Sequence, residues 1–169
     1  MDVQISVETT FDDGTKRTHR LGWVSRPYLL TQAGALGLLL EDAKVILRQI
    51  QKALLSDQVE EVCIISRACP DCGSGRAVHD YRTRIFDTIF GRSRLRAPRF
   101  RQCKCDALAE ENCGRTLSPV SYFFPDRTTP ELRRLQAELG SRHSFREAAR
   151  IIETFLPCAK QINTTVRTA

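Results

Sequence analysis

Two cysteine pairs limit what this chain can fold into more than any other feature. Cys69-Pro70-Asp71-Cys72-Gly73 sets two thiolates two residues apart. The glycine after the second lets the turn present backbone N–H groups to the sulfurs. Cys103-Lys104-Cys105 follows beyond a candidate hairpin. Four cysteines at the base of a hairpin make a tetrahedral Zn²⁺ site of the zinc-ribbon type. Bound zinc would supply folding energy that so small a segment cannot draw from apolar burial. The second pair has one residue between its cysteines where a ribbon usually has two. Cys113, followed by Gly114, is therefore a substitute ligand, and His79 a remoter one. The first-ranked set is Cys69, Cys72, Cys103 and Cys105. A thioredoxin-like dithiol also uses Cys-x-x-Cys, but it wants the motif at a helix N-terminus, and the flanks here read as a hairpin. Cys63 and Cys158 lie among apolar residues and read as buried small hydrophobes.

The charge points to a partner. The 169 residues carry 26 Lys+Arg and 20 Asp+Glu, a formal net charge of +6. Residues 81–101 hold Arg82, Arg84, Arg92, Arg94, Arg96, Arg99 and Arg101 with Asp87 as the one acid, so the whole surplus lies between the cysteine pairs. Arg82 and Arg84 share one strand face, as do Arg92, Arg94 and Arg96. If pairing brings those faces together, the result is one guanidinium-studded surface. Arg suits phosphate because its fork donates two parallel hydrogen bonds. A solvated strand face is the ordinary meaning of a charge run, but a run of one sign and one residue type favours phosphate.

Elsewhere the pattern is α+β. Val3, Ile5 and Val7 alternate with polar residues, Asp12-Asp13-Gly14 is a turn, and a second strand spans about 15–24. Leu36, Leu39, Leu40, Ala43, Ile46, Leu47, Ile50, Ala53 and Leu54 recur at helical spacing, with the firm helix at about 40–56 and its stripe expected on the hairpin. Strands are expected at about 81–90 and 93–101, with Pro98 confining the second to an edge or a bulge. Thr129-Pro130-Glu131 opens a helix that Gly140 is expected to stop near Leu139. Ser144-Phe145-Arg146-Glu147 is a capping box, opening a helix with Phe145, Ala148, Ala149, Ile152, Phe155 and Leu156 on one face. This helix and a segment beginning at Asn163-Thr164-Thr165-Val166-Arg167 could form a helix-turn-helix, with Arg146, Asn163, Thr164, Thr165 and Arg167 reading DNA. Three modules follow: a hairpin plus helix at 1–62, a zinc ribbon at 63–124 and a truncated helix-turn-helix at 125–169. No apolar run approaches the ~18–20 residues of a membrane helix, and the Met1-Asp2 start does not read as a secretory signal, so a cytoplasmic protein is expected.

These segments together resemble the N-terminal region of bacterial DDE-type insertion-sequence transposases. The strings that carry the resemblance are Leu39-Leu40-Glu41-Asp42-Ala43-Lys44, Cys69-Pro70-Asp71-Cys72-Gly73, Asp80-Tyr81-Arg82-Thr83-Arg84, Ile89-Phe90-Gly91 and Pro98-Arg99-Phe100-Arg101. Pro125-Asp126-Arg127-Thr128-Thr129-Pro130-Glu131-Leu132 and Ser144-Phe145-Arg146-Glu147-Ala148-Ala149-Arg150 complete the set. The resemblance implies binding to double-stranded DNA at the terminal inverted repeats of a mobile element, hence a place at the bacterial nucleoid. It also implies a following ribonuclease-H-like domain with three Mg²⁺-binding carboxylates. No such triad can be named among the acids of this chain, so the expectation is DNA binding without catalysis, alone, as a homo-oligomer or beside an intact transposase. The rival expectations are a zinc-stapled protein-interaction module that binds no DNA and, third, a dithiol redox enzyme.

Overall fold

The computed structural model describes residues 1–27, 36–105, 116–123 and 126–158. Among these the chain is α+β. Strands β1 (Asp2–Thr10) and β2 (Lys16–Ser25) form one antiparallel sheet. Strands β3 (Val78–Thr88), β4 (Gly91–Arg101) and β5 (Thr116–Leu117) form a second, in the order β3-β4-β5. The helices are α1 (Leu40–Ser66), α2 (Pro119–Phe123), α3 (Pro130–Arg142) and α4 (Phe145–Phe155).

The first hairpin closes where the sequence places its turn. Gly14 takes φ +80°, and Asp13 accepts hydrogen bonds from the Thr15 amide at 2.8 Å and hydroxyl at 2.6 Å. Gly tolerates that backbone at no steric cost. A bulge between Ile5 and Ser6, opposite Gly22, shifts the alternation, and Trp23 ends up exposed.

Helix α1 lies between the two sheets. It begins with the Asp42 carboxylate accepting from the Leu39 amide and paired with Arg26. It runs ten residues past the expected end and packs on both sides. Ile46, Ile50, Ala53 and Asp57 share the stripe turned to the first hairpin. Leu55, with Val59 and Cys63, packs on Phe86, Leu95 and Ala97 of the second sheet and Val120 of α2. The expected boundary between residues 62 and 63 therefore falls inside α1, and this core draws on both sides of it. The expected single stripe is split: Leu36, Leu39, Leu40, Leu47 and Leu54 are exposed. Lys44, which lies off the apolar stripe, is nonetheless buried, with its Nζ on Glu41 at 3.0 Å and the Glu153 carbonyl at 3.3 Å.

In the second sheet a two-residue turn, Ile89–Phe90, joins β3 to β4, so β4 begins at Gly91, two residues before the expected start. Pro98 lies in the middle strand, yet β5 pairs only with Phe100 and Arg101, so β4 has no β5 partner at Pro98. Asp87 exchanges backbone hydrogen bonds with Arg127 and Thr129, which ties the approach to α3 onto the edge of β3. Gly140 does not stop α3, which continues to Arg142. Ala148 and Ala149 of α4 pack with Leu139 of α3. Ile152 is buried as expected, but Phe145 and Phe155 are exposed.

Candidate metal centre and nucleic-acid interface

The metal centre is built where α1 ends. A helix C-terminus leaves carbonyls without partners and carries partial negative charge. Arg76 meets both demands, donating to the Ser66 carbonyl at 2.9 Å and the Ala68 carbonyl at 3.0 Å. A bridge between Ala68 and Gly75 then closes a tight loop around Cys69 and Cys72. Inside it the Cys69 amide donates to the Ser74 carbonyl, and the Gly73 amide donates to the Cys69 carbonyl. Gly73 sits at φ +69°, which favours a residue without Cβ. Strand β4 leads Cys103 and Cys105 to the same place.

The Sγ atoms of Cys69, Cys72, Cys103 and Cys105 all lie within 4.8 Å of one another and could hold a metal ion. Cys72 and Cys103 Sγ are 3.3 Å apart. Ser74 Oγ lies 3.0 Å from Cys72 Sγ and 3.4 Å from Cys103 Sγ. Hydrogen bonds from the Ser74 hydroxyl and amide, with those of Cys103 and Cys105, bring the Cys72 thiol down to about 6. The Ser74 hydroxyl likewise lowers Cys103. Cys105 is pushed up to about 12 because it donates to both of those sulfurs. Sequence reasoning missed Ser74, although its place two residues after Cys72 offers a signal. His79 lies outside the cluster, and Cys113 lies outside the described residues. Cys63 is half-buried in the core and its thiol is pushed up by burial and by Glu60, while Cys158 is buried. Cys69 and Cys72 follow a helix C-terminus, so they lack the helix N-terminal field that activates many redox dithiols.

The arginines divide by strand face. The register pairs Arg84 with Leu95 and Arg82 with Ala97, and pairs Arg92, Arg94 and Arg96 with Asp87, Ile85 and Thr83. Leu95 and Ala97 face α1, so Arg92, Arg94 and Arg96 face away from it, and Arg82 and Arg84 do not join their row. The two expected faces do not coincide. One residue of register decides this, and residue types alone do not fix it.

Their partners differ too. Arg92 grips Asp87 at 2.8 and 3.0 Å. Arg99 grips Asp80 through two 2.6 Å hydrogen bonds, which hold that carboxyl down at about 2. Arg82 also reaches Asp80, at 3.3 Å. Arg84 donates to Ser121 Oγ at 2.7 Å. Arg96 stacks over the Tyr81 ring at 4.9 Å. Arg94, Arg96 and Arg101 make no ion pair among the described residues. A cleft of about 620 Å³ at the edge of β3 brings Arg84 and Arg92 together with Arg127, which sequence reasoning did not single out. Arg146 is exposed in the first turn of α4. Asn163, Thr164, Thr165 and Arg167 lie outside the described residues.

No helix among the described residues is long and apolar enough to cross a membrane. Comparison of the chain with protein-family models, curated proteins and solved structures finds no match.

Proposed function

We propose that this chain is a non-catalytic, transposase-like protein that binds double-stranded DNA at the inverted repeats of a mobile element, with a structural Zn²⁺ ion at the four cysteines. The observation that carries the DNA reading is the row of Arg92, Arg94 and Arg96 on the outward face of β4. Arg94 and Arg96 there have no carboxylate partner among the described residues. Guanidinium groups at every second residue of a strand suit a phosphate backbone, and they supply affinity rather than sequence choice. Sequence choice falls to the helical end of the chain, with Arg146 and the residues near Asn163. The protein then works at the nucleoid.

The zinc reading rests on the donor set. Four thiolates are soft ligands, and a tetrahedron with Zn–S bonds of ~2.3 Å has S···S edges of about 3.8 Å. Four sulfurs within 4.8 Å of one another need only small shifts to reach it. Such an ion would pin the end of α1 to the end of β4. Ser74 then stabilises the charge on Cys72 and Cys103 from outside the ligand set.

The test of the DNA reading is affinity measured against salt. Several phosphates neutralised give a log–log slope of about −0.9 per phosphate. Duplexes carrying the element's ends should bind more tightly than random duplexes. A flat salt response, or equal affinity for every duplex, sinks the reading. The exposed Leu40, Leu47 and Leu54, one every seven residues along α1, favour a second reading as a zinc-stapled protein-interaction module. That reading expects a complex or homodimer that survives charge reversal at Arg92, Arg94 and Arg96.

A further inference from the structure

Gly91 is the tightest glycine position among those described. Its φ is +124°, and a Cβ placed there would meet the Pro157 carbonyl oxygen at 3.2 Å and Arg48 Cγ at 3.3 Å. Three parts of the fold therefore converge at one point: α1, the β3–β4 turn and the chain leaving α4. Thr88 braces the turn, its hydroxyl donating to the Gly91 carbonyl at 2.9 Å and accepting from the Phe90 amide at 3.0 Å.

Beside this junction lies a cleft of about 430 Å³ between α1 and β4. Arg48, Lys52, Arg92 and Arg94 line it, over an apolar base that includes Leu55, Leu95 and Phe90. No carboxylate among the described residues lines it. Arg92 is matched by Asp87 outside the cleft. Arg48 makes one polar contact among the described residues, from Nε to the Pro157 carbonyl at 3.0 Å, which fixes its stem and leaves its two Nη groups as donors. Lys52 and Arg94 make no ion pair there. Arg94 turns its side chain to the other face of β4, so the two unmatched cations of α1, Arg48 and Lys52, raise the local potential of the concavity and concentrate an anion.

We propose that this α1–β4 cleft is a phosphate-binding site, with Arg48 and Lys52 as its donors. Arg48 can offer its two Nη groups to phosphate oxygens, and Lys52 adds a compact charge. The volume suits one nucleotide unit. The proposal deepens the DNA reading, because it brings α1 into a surface otherwise confined to β4. The ligand is a phosphate anion, and its source is either the backbone of a duplex or a free polyphosphate.

The test uses the full chain, its Lys52→Glu variant and an Arg20→Glu control. Lys52 and Arg20 are both exposed, and Arg20 lies on the first hairpin, so the control makes the same charge change far from the cleft. The expected result is that Lys52→Glu weakens duplex binding about tenfold or more and flattens the salt slope by about 1, with Arg20→Glu within about twofold of wild type. Equal losses in the two variants overturn the cleft and leave the DNA reading standing. The second arm titrates tripolyphosphate while following the backbone amide resonance of Gly91. If wild type binds no duplex but tripolyphosphate shifts Gly91, and Lys52→Glu abolishes the shift, the cleft stands, its source is a free anion and the DNA reading falls. If neither probe binds, the proposal is overturned.

Discussion

Arg17 of β2 and Asp57 of α1 are 40 residues apart in the chain and 3.0 Å apart in the fold. Asp57 is 2% exposed. Its carboxylate also accepts from Thr9 Oγ1 at 2.6 Å and lies 2.7 Å from His19 Nε2. Arg17 in turn grips Glu60 at 2.6 and 3.0 Å. No strand residue of the first hairpin is fully buried, so this polar cluster is its main anchor on α1. Replacing Asp57 with Ala leaves Thr9 and His19 without this acceptor and leaves Arg17 with Glu60 alone. Such a change should cost about 2–3 kcal/mol, read as a lower urea midpoint at neutral pH. A loss below about 0.5 kcal/mol would show that packing alone seats the hairpin.

The same residue sets a pH dependence. Burial pushes the Asp57 carboxyl up, but hydrogen bonds from Thr9, His19 and Arg17 outweigh it and hold the group below its ordinary value. A carboxyl depressed in the folded state stabilises the fold fully above its unfolded value of about 3.9. That contribution is lost as pH falls through the lower folded value. The stability gap between wild type and Asp57→Asn should therefore be full above about pH 3.9 and narrow below it. Urea titrations from pH 5 downwards measure this, and a gap that widens in acid contradicts it.

The anchor also shows why the last ten residues of α1 are hard to read from sequence. Asp57, Glu60 and Glu61 break the apolar stripe, so the firm helix was expected to stop at Ser56. The partners of Asp57 and Glu60, which are Thr9, Arg17 and His19, lie on β1 and β2, and no local pattern announces them. The cysteine cluster was legible because ligand spacing is itself local, two residues in one pair and one in the other. The arginine run was legible in composition but not in facing. Which guanidinium groups share a surface depends on pairing between β3 and β4, and on acids such as Asp80 that lie outside the run.

Metal removal should separate the two parts of the second sheet. The cluster of Leu55, Phe86, Leu95, Ala97 and Val120 does not depend on the sulfurs. A chelator, or Cys72→Ser with Cys103→Ser, should lower the melting temperature and leave far-UV circular dichroism at 25 °C largely intact. An ion present at a thousandfold its dissociation constant adds about 4 kcal/mol that the variant would lack. Native mass spectrometry should find one zinc per wild-type chain and none in the double variant. Complete unfolding without metal would mean that the apolar cluster cannot hold the sheet alone.

Ion pairing ranks the arginines for DNA. Arg94 has no carboxylate partner among the described residues, whereas Arg99 is gripped twice by Asp80. Arg94→Ala should reduce the magnitude of the salt slope by about 0.9, the value for one phosphate. Arg99→Ala should change the slope little and instead let the Asp80 carboxyl rise from about 2 toward its ordinary value. Carbon-detected titration of Asp80, beside binding at several salt concentrations, separates the two effects. Equal slope losses would show that Arg99 leaves Asp80 for phosphate.

Thr129 holds the N-cap position of α3, as its place before Pro130 predicts, but its hydroxyl makes no capping bond. Its amide donates instead to the Asp87 carbonyl, which draws the residue onto the edge of β3. The hydroxyl is buried with no hydrogen-bond partner among the described residues. An unmet buried hydroxyl is a cost, and valine has nearly the same shape without it. Ser144 is the contrast, because its side chain accepts from the Glu147 amide at 3.3 Å and so caps α4. Thr129→Val should therefore leave the melting temperature unchanged or raise it, by up to about 1 kcal/mol in stability. Ser144→Ala should lower stability by about 1 kcal/mol. If Thr129→Val proves as costly as Ser144→Ala, the Thr129 hydroxyl caps α3 in solution after all.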